Sequence, residues 1–205
     1  SCTYCYANAD IIADTIFGCD SIIISVDTII GGSYSWNSSN IINSINPSIG
    51  DFYKGGVVFW IDPLDSTQGM VCDIDDLGGA EYGCFGTVIS GADGTAIGTG
   101  LQNTIDIVNS NCNTYYGGSV AAELCYNHIK SGFSDWFLPS KDELYEMYLN
   151  YNIINSTSLA NGGSELMSNS TGTLVFRSSS EYDAQSAWVY WFGGSLSYYE
   201  YKIFT

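Results

Sequence analysis

The sequence predicts an α+β domain of antiparallel strands and about three helices, preceded by a small N-terminal β element. Three observations carry that assignment. From Gly55 onward, β-branched and aromatic runs sit at both ends while helical periodicity is confined to the middle, so strands, helices and strands follow in turn. In the middle, Ser140 and Glu143 have the spacing of a capping box at the head of an amphipathic stretch. Leading into it, Trp136, Phe137 and Leu138 offer core surface, and Pro139 fixes the helix entry because it cannot continue a helix backward.

In chain order, residues 1–50 read as a strand or hairpin segment and residues 51–205 as the main domain. Residues 10–17 and 21–30 are Ile-rich, and Gly18-Cys19-Asp20 between them reads as a turn. Ile12 and Ile16 lie in the first run. In the second, Ile22, Ile24 and Val26 face one way, with Ser25 and Asp27 opposite. Gly31-Gly32 ends that strand, and Asn46-Pro47-Ser48-Ile49-Gly50 reads as the connection to the main domain. Residues 55–61 then form a buried strand and 69–74 a second, followed by a Gly-rich passage from 78 to 100. Helices are expected over 103–109, over 119–130 with Val120, Leu124 and Ile129 inward, and over 141–150 with Leu144, Met147 and Tyr148 inward. Strands return at 174–179, 187–192 and 196–204.

Charge excludes whole classes of partner. Five basic residues stand against 22 acidic ones, a net charge of −17. Such a surface repels nucleic acid and anionic membranes. Only 13% of residues are charged, so Ser, Asn, Thr, Gly and Tyr build most of the polar surface, as in secreted β-rich proteins. No stretch approaches the ~20 apolar residues of a membrane span. The start at Ser1-Cys2 reads as that of a processed mature chain.

Cys2, Cys5, Cys19, Cys72, Cys84, Cys112 and Cys125 accompany a single histidine. Zinc needs four ligands, and Cys2-x-x-Cys5 has only Cys19 nearby, so disulfides in an oxidising compartment are the better account. The odd count leaves one thiol free or paired between chains. Local spacing favours Cys112 with Cys125, stapling two helices, and Cys72 with Cys84, across a strand and a loop.

No constellation specifies catalysis, a cofactor or a metal. Asp73-x-Asp75-Asp76-x-Gly78 lacks the third carboxylate and the distal Glu of a calcium loop. His128 has no specified nucleophile or orienting acid. Ser178-Ser179-Ser180 beside Arg177 and Glu181 reads as strand-end hydrogen bonding, with Arg177 and Glu181 as a buried pair. The runs 188–192 and 198–201 form an aromatic hairpin. Alternation puts Trp188, Tyr190 and Phe192 on one face, with Val189 and Trp191 on the other. Two apolar faces fit a strand covered on both sides, with core as the default; the alternative is a surface that binds a glycan or another subunit, with Trp188, Tyr190, Tyr198 and Tyr199 as its candidates.

The words Gly55-Gly56-Val57-Val58-Phe59, Tyr82-Gly83-Cys84-Phe85-Gly86-Thr87, Ile97-Gly98-Thr99-Gly100, residues 121–125, residues 134–144, Ser178 to Tyr182 and Ala187-Trp188 occur in a fixed order. With them, residues 52–202 resemble the Lcl C-terminal-like domain of bacterial surface proteins. Gly18-Cys19-Asp20-Ser21 and the strand after it look like the end of short β-repeats in secreted adhesins. The main resemblance implies a C-type-lectin-like architecture and an extracellular, surface-attached role in adhesion, with glycan binding in some relatives. Two departures bear on this. Sulfated glycans need basic surface, which this chain lacks. Relatives also continue past the position of Lys202 into one more strand, so the resemblance implies an open sheet edge here. The expectation is a non-enzymatic subunit of a surface filament or adhesive appendage. Identical copies would join by strand addition, with Ile12, Ile16, Ile22, Ile24 and Val26 filling a neighbour's pockets. The alternative is a monomeric lectin-like module that binds carbohydrate.

Overall fold

A computed structural model describes residues 6–10, 46–164, 175–194 and 196–204. The strands are β1 (Tyr6–Asp10), β2 (Phe52–Tyr53), β3 (Gly56–Ile61), β4 (Gln68–Asp73), β5 (Trp136–Phe137), β6 (Val175–Glu181), β7 (Ser186–Trp191) and β8 (Leu196–Tyr201). The helices are α1 (Gly100–Asn109), α2 (Ala121–Tyr126), α3 (Lys141–Leu149) and α4 (Tyr151–Ala160). The fold is α+β, as expected. One sheet runs β2-β3-β4-β1-β5 and the other β6-β7-β8, with every strand pair antiparallel.

Strands β3 and β4 form a layer covered on both faces, which is why they read as near-continuous apolar runs. Val58 and Val71 pack on one side with Tyr82, Ile107, Trp136 and Leu138. Val57, Phe59, Met70 and Cys72 pack on the other with Leu144, Met147, Ile154 and Phe176.

The capping box sits at the meeting point of three segments. Ser140 Oγ accepts from the Glu143 amide (3.4 Å), and Glu143 Oε2 accepts from the Ser140 amide (2.6 Å). The same carboxylate crosses to the start of α1, where Oε1 accepts from Gly98 N–H (2.7 Å) and Gly100 N–H (3.4 Å). A side chain at Gly100 would collide with Glu143 and the Ser140 amide, so this approach requires glycine. Burial raises the Glu143 pKa above the ordinary carboxyl value, against the opposing pull of its amide donors. Glu143→Gln must set an amide NH₂ against a backbone N–H in either flip. It is expected to cost about 2–3 kcal/mol, read as a lower urea midpoint with unchanged slope; an unchanged midpoint would refute the hub role.

Three expectations are corrected. The helix predicted over 119–130 stops at Tyr126, where Asn127 turns back to cap Glu123 through its amide and side chain. Ile129, expected inward, is 71% exposed. Residues 151–160, where the sequence pattern predicts no helix, form α4, in which only Ile154 and Ser158 are buried. Such a polar helix has almost no apolar stripe to read. At the N-terminus the described strand is residues 6–10, ahead of the run expected at 10–17. Ile12, Ile16, Ile22, Ile24 and Val26 lie outside the described residues.

Candidate functional site

The most informative feature is the place of β1 in its sheet. Its five residues pair with β4 from Tyr6↔Cys72 to Asp10↔Gln68, and on the other side Tyr6↔Phe137 and Ala7↔Trp136 join it to β5. A strand near the beginning of the chain thus occupies an interior slot between two strands of the main domain. The walls of that slot are built from core residues. Met70, Val71 and Cys72 of β4 are buried, as are Trp136 and Phe137 of β5. Without β1, the β4 backbone would present unpaired donors and acceptors between two hydrophobic layers.

A polar cluster lies at the Cys72 end. Asp73, the last residue of β4, is fully buried; its Oδ2 lies 2.6 Å from His128 Nε2, and its Oδ1 takes the Lys130 ammonium. Lys130 also reaches Asp75 Oδ2 at 2.8 Å. Burial pulls the Lys130 pKa down, but its hydrogen bonds to Asp73 and Asp75 win and hold it above the ordinary lysine value. His128 stacks edge-on against Trp136 of β5 (5.5 Å). Of the three carboxylates in the Asp73–Gly78 loop, Asp73 faces a cation and an imidazole, Asp75 faces the same cation, and Asp76 accepts from the Gly78 amide. The turn that ended α2 early is what brings His128 and Lys130 to Asp73, and no local spacing announces it.

The cysteine pairings are corrected. Cys84 is bonded to Cys112, with 4.6 Å between their Cα atoms. Cys72 could not reach Cys84, because Cys72 packs on one side of the β3–β4 layer and Cys84 on the other. Cys125 is also disulfide-bonded, to a partner outside the described residues. Cys72 is a free, buried thiol. Burial, and next the Asp73 charge, push its pKa far up, leaving it inert while covered. Cys2, Cys5 and Cys19 lie outside the described residues.

The aromatic hairpin divides by face. Trp188 and Tyr199 are cross-strand partners, Tyr199 stacks flat on Tyr182 (4.2 Å), and the Lys141 ammonium lies 4.7 Å from the Trp188 ring centre. Tyr199 is exposed. Tyr190 is not a surface residue: it is 5% exposed and stacks on Tyr148 of α3 (5.0 Å). Tyr198 shares the opposite face with Val189, and its hydroxyl donates to Glu200 (3.0 Å). Strand β8 is the edge of its sheet, and Leu196, Tyr199 and Tyr201 on it are exposed.

Behind that sheet, Glu181 does not pair with Arg177 as expected. Its carboxylate takes the Lys202 ammonium and accepts from Ile89 N–H (3.0 Å), while Lys202 also donates to the Thr87 carbonyl (2.8 Å). Arg177 donates to the Phe204 carbonyl (2.7 Å) and lies 4.0 Å from Glu200, with Nε and Nη1 unpartnered among the described residues. The serine run is committed to structure. Ser178 Oγ donates to Trp188 O (2.8 Å), Ser179 Oγ to Pro139 O (3.0 Å) and Ser180 Oγ to Gly94 O (2.6 Å). Among the described residues, no helix is long and apolar enough to cross a membrane. A scan against protein-family models and searches of curated proteins and of solved structures match nothing to this chain.

Proposed function

We propose that this chain is a non-enzymatic, extracellular structural subunit of a bacterial surface filament or adhesive appendage, and that copies join by exchanging β1. The observation that carries this reading is the position of β1 between β4 and β5. A five-residue strand held in an interior slot by its pairing with β4 and β5 can be supplied by another copy with the same register and the same hydrogen bonds. The enthalpy of the slot is then nearly unchanged by exchange, and local concentration and linker geometry decide between closed and exchanged forms. Residues 11–45 join β1 to the main domain. Donation in one direction does not close on itself, so it propagates as a fibre.

Several further features support the reading. A disulfide and a free thiol sealed in the core suit an oxidising exterior. The edge strand β8, with its exposed rings, offers a second contact surface between copies. The net charge of −17 opposes contact between copies, so added salt should favour assembly. The deciding experiment is negative-stain electron microscopy of the purified chain at low and moderate salt. Fibres of uniform width, more abundant at moderate salt, are expected. Discrete particles at every salt concentration would instead favour the monomeric carbohydrate-binding module.

A further inference from the structure

A cleft of about 540 Å³ opens between a loop of the Gly-rich passage and the loop that follows α1. One wall is Cys84, Phe85 and Thr87; the other runs from Ser110 to Tyr115 past Asn111, Asn113 and Thr114. Two ties hold the walls at a fixed separation: the Cys84–Cys112 disulfide and the hydrogen bond from Cys84 N–H to the Asn113 carbonyl (3.2 Å). A third device sets the rim. Glu81, buried in the core, accepts from Tyr115 N–H (2.7 Å) and Tyr116 N–H (2.8 Å) through its two oxygens. That anchor presents two rings to solvent, Tyr115 at 67% and Tyr116 at 71% exposure, edge to face 4.9 Å apart. Two charge-assisted hydrogen bonds to the buried Glu81 carboxylate therefore fix the backbone beneath both rings.

The lining decides what could bind. It has amides, hydroxyls and rings and no charged side chain. Asn111 donates to the Asn109 carbonyl (3.0 Å), which leaves its side-chain oxygen open to a donor. Asn113 is exposed, and its side-chain amide presents both donors and an acceptor. An anionic ligand finds no cation here and meets the field of a −17 protein. A wholly apolar ligand would strand the amides. Side-chain amides beside a fixed aromatic ring match a pyranose, whose vicinal hydroxyls exchange hydrogen bonds with amides while its C–H face lies on a ring.

We propose that this cleft is a binding site for neutral saccharides, with Tyr115 as the stacking platform and Asn113 as the principal hydrogen-bonding group. The walls are pre-set, so little ordering is needed on binding. The site does not include β1 or the β8 edge, so it functions in a single copy, and repetition along a polymer would multiply weak contacts into avidity.

The test is plate binding of the full chain to immobilised mannan, dextran, laminarin and arabinogalactan, with heparin as the anionic control. Saturable retention on at least one neutral polysaccharide, and none on heparin, is expected. Tyr115→Ala and Asn113→Ala should each raise half-saturation about tenfold or more. Tyr199→Ala, on the other aromatic surface, should leave it within about twofold. Tyr115 and Asn113 are both exposed, so their replacement spares the core, and an unchanged urea midpoint verifies this. No retention on any neutral polysaccharide overturns the proposal. So does retention that survives Tyr115→Ala, or that falls with Tyr199→Ala instead.

Discussion

Asn8→Pro is expected to open the β1 slot. Asn8 is the central residue of the strand and pairs with Met70 of β4. Proline there removes a ladder donor and forces its ring into an interior position of the sheet. With ~1 kcal/mol net per ladder hydrogen bond, disrupting the strand should cost about 3–5 kcal/mol, a large share of a domain's stability. Asn8→Thr, which keeps the amide and favours strands, should behave as the parent chain.

The native molecule carries its own reporter. Cys72 pairs with Tyr6, and its thiol is buried and inert. In Asn8→Pro, a maleimide followed by mass mapping of the Cys72 peptide should label it about a hundredfold faster than in the parent, because local opening now costs far less. Fibres formed by the parent should be lost in the same variant. If Asn8→Pro matches the parent in midpoint, labelling and assembly, β1 contributes nothing to the slot and strand exchange is wrong. Loss of stability with intact fibres would place the intersubunit bond elsewhere.

Two buried cations should respond to the same replacement in opposite ways. Lys202→Met leaves the Glu181 carboxylate buried, with the Ile89 amide as its remaining donor, and is expected to cost about 3–5 kcal/mol. Arg177→Met strands nothing comparable, because its nearest carboxylate, Glu200, is partly solvated at 4.0 Å. The guanidinium itself is the unfavourable element. It is fully buried with two nitrogens unpartnered among the described residues, and burial lowers its pKa to about 10, against the charge of Glu200. A base whose folded pKa lies below its unfolded value destabilises the fold wherever it is charged. Here that cost is present in full below about pH 10 and fades as pH rises past it toward the ordinary arginine range. At pH 7, Arg177→Met should therefore be neutral or stabilising by about 1–3 kcal/mol. Urea midpoints of the two variants decide the matter. A Lys202→Met variant as stable as the parent, or an Arg177→Met variant destabilised by several kcal/mol, would reverse this account of the ion pairs.

Local features were readable where their cause is local. The Ser140–Glu143 box is legible because both partners lie within one helical turn. Strands β3, β4 and β7 fall within a residue or two of their expected bounds, since burial leaves apolar and aromatic runs. The Arg177–Glu181 pair failed for a geometric reason. Four residues along a strand separate side chains by roughly 13 Å, and a bulge lies between them. Lys202, from the chain's far end, takes the carboxylate instead.

What the sequence determined by itself is therefore the class of fold, the acidic composition and the capped entry to α3, all of which follow from composition or from contacts within a few residues. Tertiary structure alone decided which cysteines meet, because partner choice depends on the side of the β3–β4 layer each thiol faces. It also decided that His128 and Lys130 close on Asp73, that Glu81 holds Tyr115 and Tyr116 at the rim of a cleft, and that β1 lies between β4 and β5. Each of these joins residues separated by dozens of positions. Only a folded chain brings them within the few ångströms over which hydrogen bonds and charges act.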